Sequence, residues 1–145
     1  MFALWIATGP DTGGQGSRAV KAFQRHGDEW EVRSVAKLQQ YMAYEADLPF
    51  RRDSLEDLYQ RADVIHVRNR FDEYDRLAAK FGAKPVVIHY HGSLFRADPH
   101  KFLRKQRERN AIGVVSTLDL YLISPEELEW LPSPFDVDEL AAWKS

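Results

Sequence analysis

The stretch FALWIATGPDTGGQGSRAV, from Phe2 to Val20, decides the predicted fold class. It begins with an apolar run closed by Gly9-Pro10, which is typical of a buried β-strand. Residues 9–16 then hold four glycines and a proline, and from Ser17 onwards apolar residues return at helical spacing. The stretch therefore predicts a strand, a glycine-rich turn and a helix, which together form the opening unit of an α/β sheet.

The rest of the chain alternates strand-like and helix-like segments in the same way. Further strands are predicted, mostly as continuous apolar runs, at Trp30–Val35, Asp63–Asn69, Pro85–Ser93 and Ala111–Thr117. Helical segments are predicted at Ala36–Tyr44, after an N-cap at Ser54, at Asp72–Phe81 and Pro99–Asn110, in LDLYLIS and at Val137–Trp143. The pattern predicts a single Rossmann-like α/β domain over residues 1–145, with a mostly parallel sheet and helices on both faces. The expected strand order is about 3-2-1-4-5, with a sixth strand at one edge.

The composition limits the classes of protein to which this chain can belong. Because it has no cysteine, it has no disulfide, no thiolate metal ligand and no cysteine nucleophile. The net charge of −2, from 20 basic and 22 acidic residues, favours neither a nucleic-acid partner nor a membrane surface. The N-terminal apolar run is too short to span a bilayer and lacks a basic region before it. We therefore expect a soluble, cytoplasmic protein.

The glycine-rich loop is the first candidate binding site, since ligands of such sheets bind beyond the carboxyl ends of the strands. Residues 14–19 match the G-x-G-x-x-A dinucleotide fingerprint, in which glycines let a phosphate approach the backbone at a helix N-terminus. This makes Gly13, Gly14, Gly16 and Arg18 candidate phosphate-binding residues. The alternative is an ordinary glycine-rich turn with Arg18 in solvent.

The fingerprint departs from an NAD site in two ways. The segment GPDTG separates it from the first strand, and the second strand ends in Ser34-Val35, where an acidic residue would hold the ribose. Arg33 would suit a 2′-phosphate, so an NADP-binding oxidoreductase stays open as an alternative. The ordinary interpretation of Arg33 is an exposed strand residue.

Three histidines, His66, His89 and His91, fall at the ends of predicted parallel strands. A metal site is not predicted, because no carboxylate is placed with ligand spacing and a His-x-His pair within a strand often only packs. His91, which Gly92 and Ser93 follow, is the candidate for polar contact or acid–base chemistry. For His66 and His89 we expect a satisfied, half-buried side chain.

Residues 96–109 form a predicted basic helix, with six Lys and Arg residues against two acidic ones. Such a segment could attract nucleic acid, an anionic membrane or a phosphorylated acceptor. The interpretation that the sequence favours is a solvated helix face, because Phe102 and Leu103 are its only large apolar residues.

Taken in order, the motifs resemble the N-terminal half of family 4 glycosyltransferases, enzymes of the two-domain GT-B type. The resemblance rests on the glycine loop and on four later stretches: ADVIHVRN, KPVVIHYHGS, AIGVVSTLDL and EWLPSPFDVDEL. It covers nearly the whole chain and implies that this domain is one half of a GT-B fold. The chain departs from the family pattern at Arg68, where many members have a second histidine, and at Ser133, where asparagine is usual.

The resemblance implies sugar transfer from a nucleotide sugar. We expect no metal or other cofactor, because the nearest match to a D-x-D motif, at Asp136–Asp138, falls in the tail. It places the glycines of the loop against the donor phosphates and near the acceptor, and it places His91 beside the transferred sugar, with Gly92 and Ser93 next to it. The family's second domain, which binds the donor, has no counterpart before Ser145. We therefore expect an acceptor-side half that takes a sugar or phosphorylated acceptor and needs a second domain or subunit.

Two alternatives to a glycosyltransferase stay open: a non-catalytic module of this fold that binds a nucleotide, a sugar or a protein, and the NADP oxidoreductase. The default expectation for the C-terminal tail is that its apolar residues fold back on the sheet; the alternative is that a donor domain or a second copy of the chain docks on them. Its apolar residues are Trp130, Leu131, Phe135, Leu140 and Trp143.

Overall fold

A computed structural model describes residues 1–8, 15–27, 29–36, 47–132 and 141 of the chain. Within these residues, seven parallel strands form one open sheet in the order β3-β2-β1-β4-β5-β6-β7. The strands are β1 (Phe2–Ala7), β2 (Glu31–Ala36), β3 (Leu48–Pro49), β4 (Val64–Arg68), β5 (Val86–Tyr90), β6 (Ile112–Val115) and β7 (Leu128–Trp130). The predicted fold class, a single Rossmann-like α/β domain with a parallel sheet, is confirmed.

Helices cover both faces of this sheet. They are α1 (Gln15–His26), α2 (Arg52–Arg61), α3 (Asp72–Phe81), α4 (Gly92–Ala97), α5 (Pro99–Glu108) and α6 (Leu118–Tyr121). Side chains alternate along β1, so Ala3 and Leu4 point to opposite faces. Ala3 packs with Val20 of α1, whereas Leu4 belongs to the larger core that also holds apolar residues of α2 to α6.

Most of the predicted elements lie close to their expected bounds. The helix Asp72–Phe81 is confirmed in full, and Gly82 ends it with a φ of 92°, a conformation that glycine tolerates best. The prediction that Ser54 caps helix α2 is wrong, because α2 begins at Arg52, after the extended residue Arg51. The short helix α4 was expected to be a loop.

Two predicted helices cannot be compared with the structure in full. Of the segment Ala36–Tyr44, residue Ala36 ends β2 and residues 37–46 lie outside the described part of the chain. The segment 137–143 also lies outside the described residues, except for Ala141.

The strand order has a feature that the sequence pattern did not indicate. The strand that lies next to β2 at the edge of the sheet is β3, the two-residue strand Leu48–Pro49, which was not predicted. The strand predicted third along the chain, β4, pairs instead with β1, on the side away from β2. The connections that follow β1 and β4 therefore run to opposite faces of the sheet. A crevice opens between the carboxyl ends of these two strands.

Candidate functional site

A pocket lies at the carboxyl ends of the central strands, in the β1–β4 crevice. We call it the histidine pocket. Its lining residues come from β1, α1, β2, β4, β5 and the residue after β5. They are Trp5, Ile6, Ala7, Gln15, Gly16, Ser34, Val35, Ala36, His66, Arg68, His89 and His91. Among the lining residues that the structure describes, Arg68 supplies the positive charge and none is a carboxylate.

The register of the sheet brings the polar lining residues together. Trp5 of β1 is level with His66 of β4, and Arg68 of β4 is level with His89 of β5. Since Trp5 alternates with the core residues Leu4 and Ile6, it points away from the large core, toward the face that carries α1. The same alternation puts His66, Arg68, His89 and His91 on that face.

The aromatic rings form a continuous row across three strands. The indole of Trp5 stacks on the imidazole of His66, with ring centroids 3.5 Å apart and planes inclined by 16°. The centroids of His66 and His89 are 5.6 Å apart, and His89 stacks on His91 at 4.2 Å. The rings are therefore packed against one another along the pocket wall.

Burial keeps this row of imidazoles uncharged at neutral pH. It lowers the pKa of His66 well below 6.5, and the neighbouring His89 and His91 lower it further. Burial, with a contribution from Arg68, lowers the pKa of His89 to about 4. Burial, then His89 and Arg68, lower the pKa of His91 to about 3.

Two ring nitrogens in this row have no hydrogen-bond partner within the described residues. Nε2 of His66 and Nδ1 of His89 are both buried and unpaired, and their side chains are only 8% and 2% exposed. The other nitrogen of His89, Nε2, lies 2.6 Å from Oγ of Ser116. A buried polar atom without a partner costs about 1–3 kcal/mol. Both side chains are buried more deeply than the half-buried placement that the sequence predicts, and the expectation that their polar atoms are satisfied is wrong.

The backbone around His91 is held by Asn69, at the end of β4. The amide of His91 donates to Oδ1 of Asn69 at 2.7 Å, and the amide of Asn69 donates to the carbonyl of His89 at 3.0 Å. Asn69 adopts a positive φ of 56°. It thereby links the carboxyl ends of β4 and β5 next to His91.

The structure brings some of the predicted site residues together. Gly16 and His91 line the same pocket, so the start of α1 and the end of β5 meet there. Arg18 lies in α1 and does not line the pocket. Gly92 and Ser93 open α4 outside the lining, and Gly92 has a φ of 56°. The candidates Gly13 and Gly14 lie outside the described residues.

The sequence analysis did not assign a binding role to Trp5, Ser34 or Asn69. Trp5 sits within an apolar run and Ser34 within a predicted strand, so nothing local marks either as a binding residue. Their signal is register, because Trp5 is level with both Ser34 and His66 on neighbouring strands. Asn69 carried a clearer signal, since asparagine after a strand tolerates a positive φ and can bond to a neighbouring backbone amide.

The predicted basic helix is largely paired with carboxylates. Arg96 bonds Asp119, and Arg107 bonds Glu127 at 2.8 Å. Arg109 bonds both carboxylate oxygens of Asp75 at 2.7 Å. These contacts reduce the positive charge that this surface presents to a polyanion.

Arg33, the candidate for binding a 2′-phosphate, is also paired. Its guanidinium bonds the carboxylate of Asp47 at 2.8 Å, and this bond raises the pKa of Arg33. The same carboxylate accepts from the amide of Ser34 at 3.0 Å. The charge of Arg33 is therefore compensated within the protein, which disfavours the NADP interpretation.

The described residues include neither a candidate metal centre nor a membrane-spanning helix. No group of three or more His, Asp or Glu side chains in these ranges could hold a metal ion. Among the helices described, none has the length and apolarity that crossing a bilayer requires.

Comparison with known proteins leaves the geometry of the pocket as the basis for a functional argument. No protein-family model, no curated protein and no solved structure matches this chain.

Proposed function

We propose that this chain is the acceptor-side domain of a glycosyltransferase. It holds an acceptor and the transferred sugar in the histidine pocket, and a second domain or subunit supplies the rest of the donor site. The observation that carries the proposal is that the start of α1, after the glycine loop, and His91, of the HGS stretch, line one pocket at the β1–β4 crevice. These are the stretches on which the resemblance to family 4 glycosyltransferases rests.

The positive charge at the pocket suits the group that departs in sugar transfer. Sugar transfer breaks the bond between the anomeric carbon and a diphosphate oxygen and joins that carbon to an acceptor oxygen, whose proton passes to the departing diphosphate. The departing diphosphate needs positive charge or N–H groups. The N-terminus of α1 and Arg68 lie at the pocket and would contribute to this stabilisation.

His91 acts in this proposal as a neutral hydrogen-bonding group. With its pKa lowered to about 3, its imidazole is a weak base at neutral pH. General bases work best with a pKa near the operating pH, so a role as the base is disfavoured. We therefore assign His91 to polar contact with the transferred sugar.

Replacing His91 with alanine tests the proposal. NMR titration of the whole chain with UDP-, GDP- and ADP-sugars should detect binding of at least one, with a Kd of about 1 mM or tighter because one half of the site acts alone. The His91→Ala variant should bind that ligand about tenfold more weakly, through loss of one to two hydrogen bonds. The matched control is His100→Ala, since His100 is exposed on α5, away from the pocket.

Two results would contradict the proposal. One is a well-folded chain whose spectrum does not change with any nucleotide sugar. The other is a His91→Ala variant that binds as tightly as the His100→Ala control.

A non-catalytic binding module is the second candidate, and the low pKa values of the histidines favour it. None of the pocket histidines is poised to exchange a proton near neutral pH. A module of this kind would bind a nucleotide sugar without turning it over. Incubation of the chain and a donor-binding domain with nucleotide sugar and glycoside, followed by mass spectrometry, separates the two: a transfer product excludes the passive module.

A further inference from the structure

The wall of the histidine pocket contains two buried imidazole nitrogens that the proposed function does not use. We propose that Nε2 of His66 and Nδ1 of His89 form a subsite for the hydroxyl groups of an uncharged sugar ring. This inference rests on the proposed function, because it names the chemical class of the acceptor as a neutral glycoside rather than a phosphorylated compound.

The unpaired nitrogens are the first argument. Both belong to residues that line the pocket, and neither atom has a hydrogen-bond partner within the described part of the chain. A neutral imidazole nitrogen is a donor or an acceptor according to its tautomer. A hydroxyl group both donates and accepts, so it can pair with either form, whereas an ionised phosphate oxygen only accepts.

The bond between His89 and Ser116 strengthens this argument. Nε2 of His89 lies 2.6 Å from the Ser116 hydroxyl, which can donate to it or accept from it. Nδ1 of His89 is therefore a donor in one arrangement and an acceptor in the other. A ligand hydroxyl is satisfied in both.

The character of the lining is the second argument. Trp5, Ala7 and Ala36 line the pocket with the imidazoles. A sugar ring has apolar C–H faces and polar hydroxyl edges, which match a wall that combines an aromatic ring with neutral polar groups. A phosphate in the same place would pull protons onto histidines that their burial keeps uncharged.

NMR of the whole chain gives the direct test. Long-range ¹⁵N–¹H spectra of the imidazoles are recorded during titration with a set of methyl hexosides and, separately, with inorganic phosphate. At least one methyl hexoside should shift the ring nitrogens of His66 and His89 and leave those of the exposed His100 unchanged. Phosphate should shift neither pocket histidine. The proposal is overturned if no hexoside shifts them, or if phosphate shifts them more than every hexoside does.

The variant His66→Phe gives a second test with a built-in check on folding. Phenylalanine keeps the stacking on Trp5 and removes the unpaired nitrogen, so the Tm of the unliganded protein should stay the same or rise. Affinity for the active hexoside should fall at least tenfold, and the His100→Phe control should leave it unchanged. A His66→Phe variant that binds the hexoside normally overturns the proposal.

The outcomes separate this inference from the proposed function. Nucleotide-sugar binding without any hexoside shift at His66 and His89 leaves the glycosyltransferase proposal standing and rejects the subsite. Hexoside shifts at both histidines in a chain that binds no nucleotide sugar establish the subsite and reject the glycosyltransferase proposal.

Discussion

At the scale of single residues, Asn69 is the one that connects the sheet to the candidate site. It combines a positive φ of 56° with a side-chain oxygen that accepts from the amide of His91 at 2.7 Å. Asn110, at the end of α5, has a similar φ of 48° but an exposed side chain. The same substitution at Asn69 and at Asn110 therefore separates the effect of backbone conformation on stability from the effect of the hydrogen bond.

We expect Asn69→Gly to be less stable than Asn110→Gly by about 1 kcal/mol, the usual net value of one hydrogen bond. Glycine accepts the positive φ at both positions and adds the same entropy to the unfolded chain, so these effects cancel in the comparison. The free energies of unfolding in urea provide the measurement. Equal losses in the two variants would show that the bond to His91 adds no stability.

At the scale of elements, Arg109 joins helix α5 to helix α3. Its guanidinium makes two hydrogen bonds to Asp75 and lies 4.7 Å from the ring centre of Phe71. The side chain of Arg109 is 21% exposed. That of Arg104, on α5, is 66% exposed, and its contact with Glu108 is longer, at 3.9 Å. Arg109 therefore docks the helix, and Arg104 faces the solvent.

Replacing Arg109 with alanine should lower the free energy of unfolding by about 1–3 kcal/mol, through loss of charged hydrogen bonds and of the contact with Phe71. The matched variant Arg104→Ala should cost about 0.5 kcal/mol or less, as exposed helix pairs do. Chemical denaturation of both variants is the measurement. Similar small losses would mean that the Arg109 pair is a surface contact of no consequence.

At the scale of the whole molecule, the buried histidines predict how stability depends on pH. The folded pKa of His89 is lowered to about 4 and that of His91 to about 3, from an ordinary value of 6.5. Between these folded values and pH 6.5, the unfolded chain binds protons that the folded chain excludes. The stability is therefore full above pH 6.5 and falls as the pH drops. Each such histidine contributes a slope of about 1.4 kcal/mol per pH unit.

Urea unfolding between about pH 7 and 5, above the range in which most carboxylates titrate, should show this fall. The variant His66→Phe should flatten it, because it removes one excluded proton from a row in which His66 faces His89 and His91. His100→Ala should retain the slope of the wild-type protein. A stability that does not change between these pH values would contradict the burial of the row.

Local patterns predicted much of this fold because the residues concerned carry their own signals. The helix Asp72–Phe81 ends at a glycine, and β5 is a continuous apolar run. The two-residue strand β3 was missed because its residues, Leu48 and Pro49, show no periodicity and proline is rare in strands. Because β3 was not predicted, the pairing of β4 with β1 was not predicted either.

The candidate site was predicted in part for the same reason. His91 and Gly16 belong to recognisable stretches, and both line the pocket. The unpaired nitrogens of His66 and His89 could not be predicted, because whether a buried imidazole finds a partner depends on side chains from other strands. Likewise, the partners of Arg33 and Arg109 lie 14 and 34 residues away along the chain.

The sequence by itself determined the α/β class and the edge of the sheet at which polar residues gather. Hydrophobic periodicity and turn chemistry are local, and parallel strands all end at the same edge. Only the tertiary structure decided that β1 and β4 are neighbours, that Trp5 stacks on His66 and that the imidazoles are buried and uncharged. Strand pairing and burial arise from contacts between distant segments, and these are settled by the packing of the whole core rather than by any one stretch of chain.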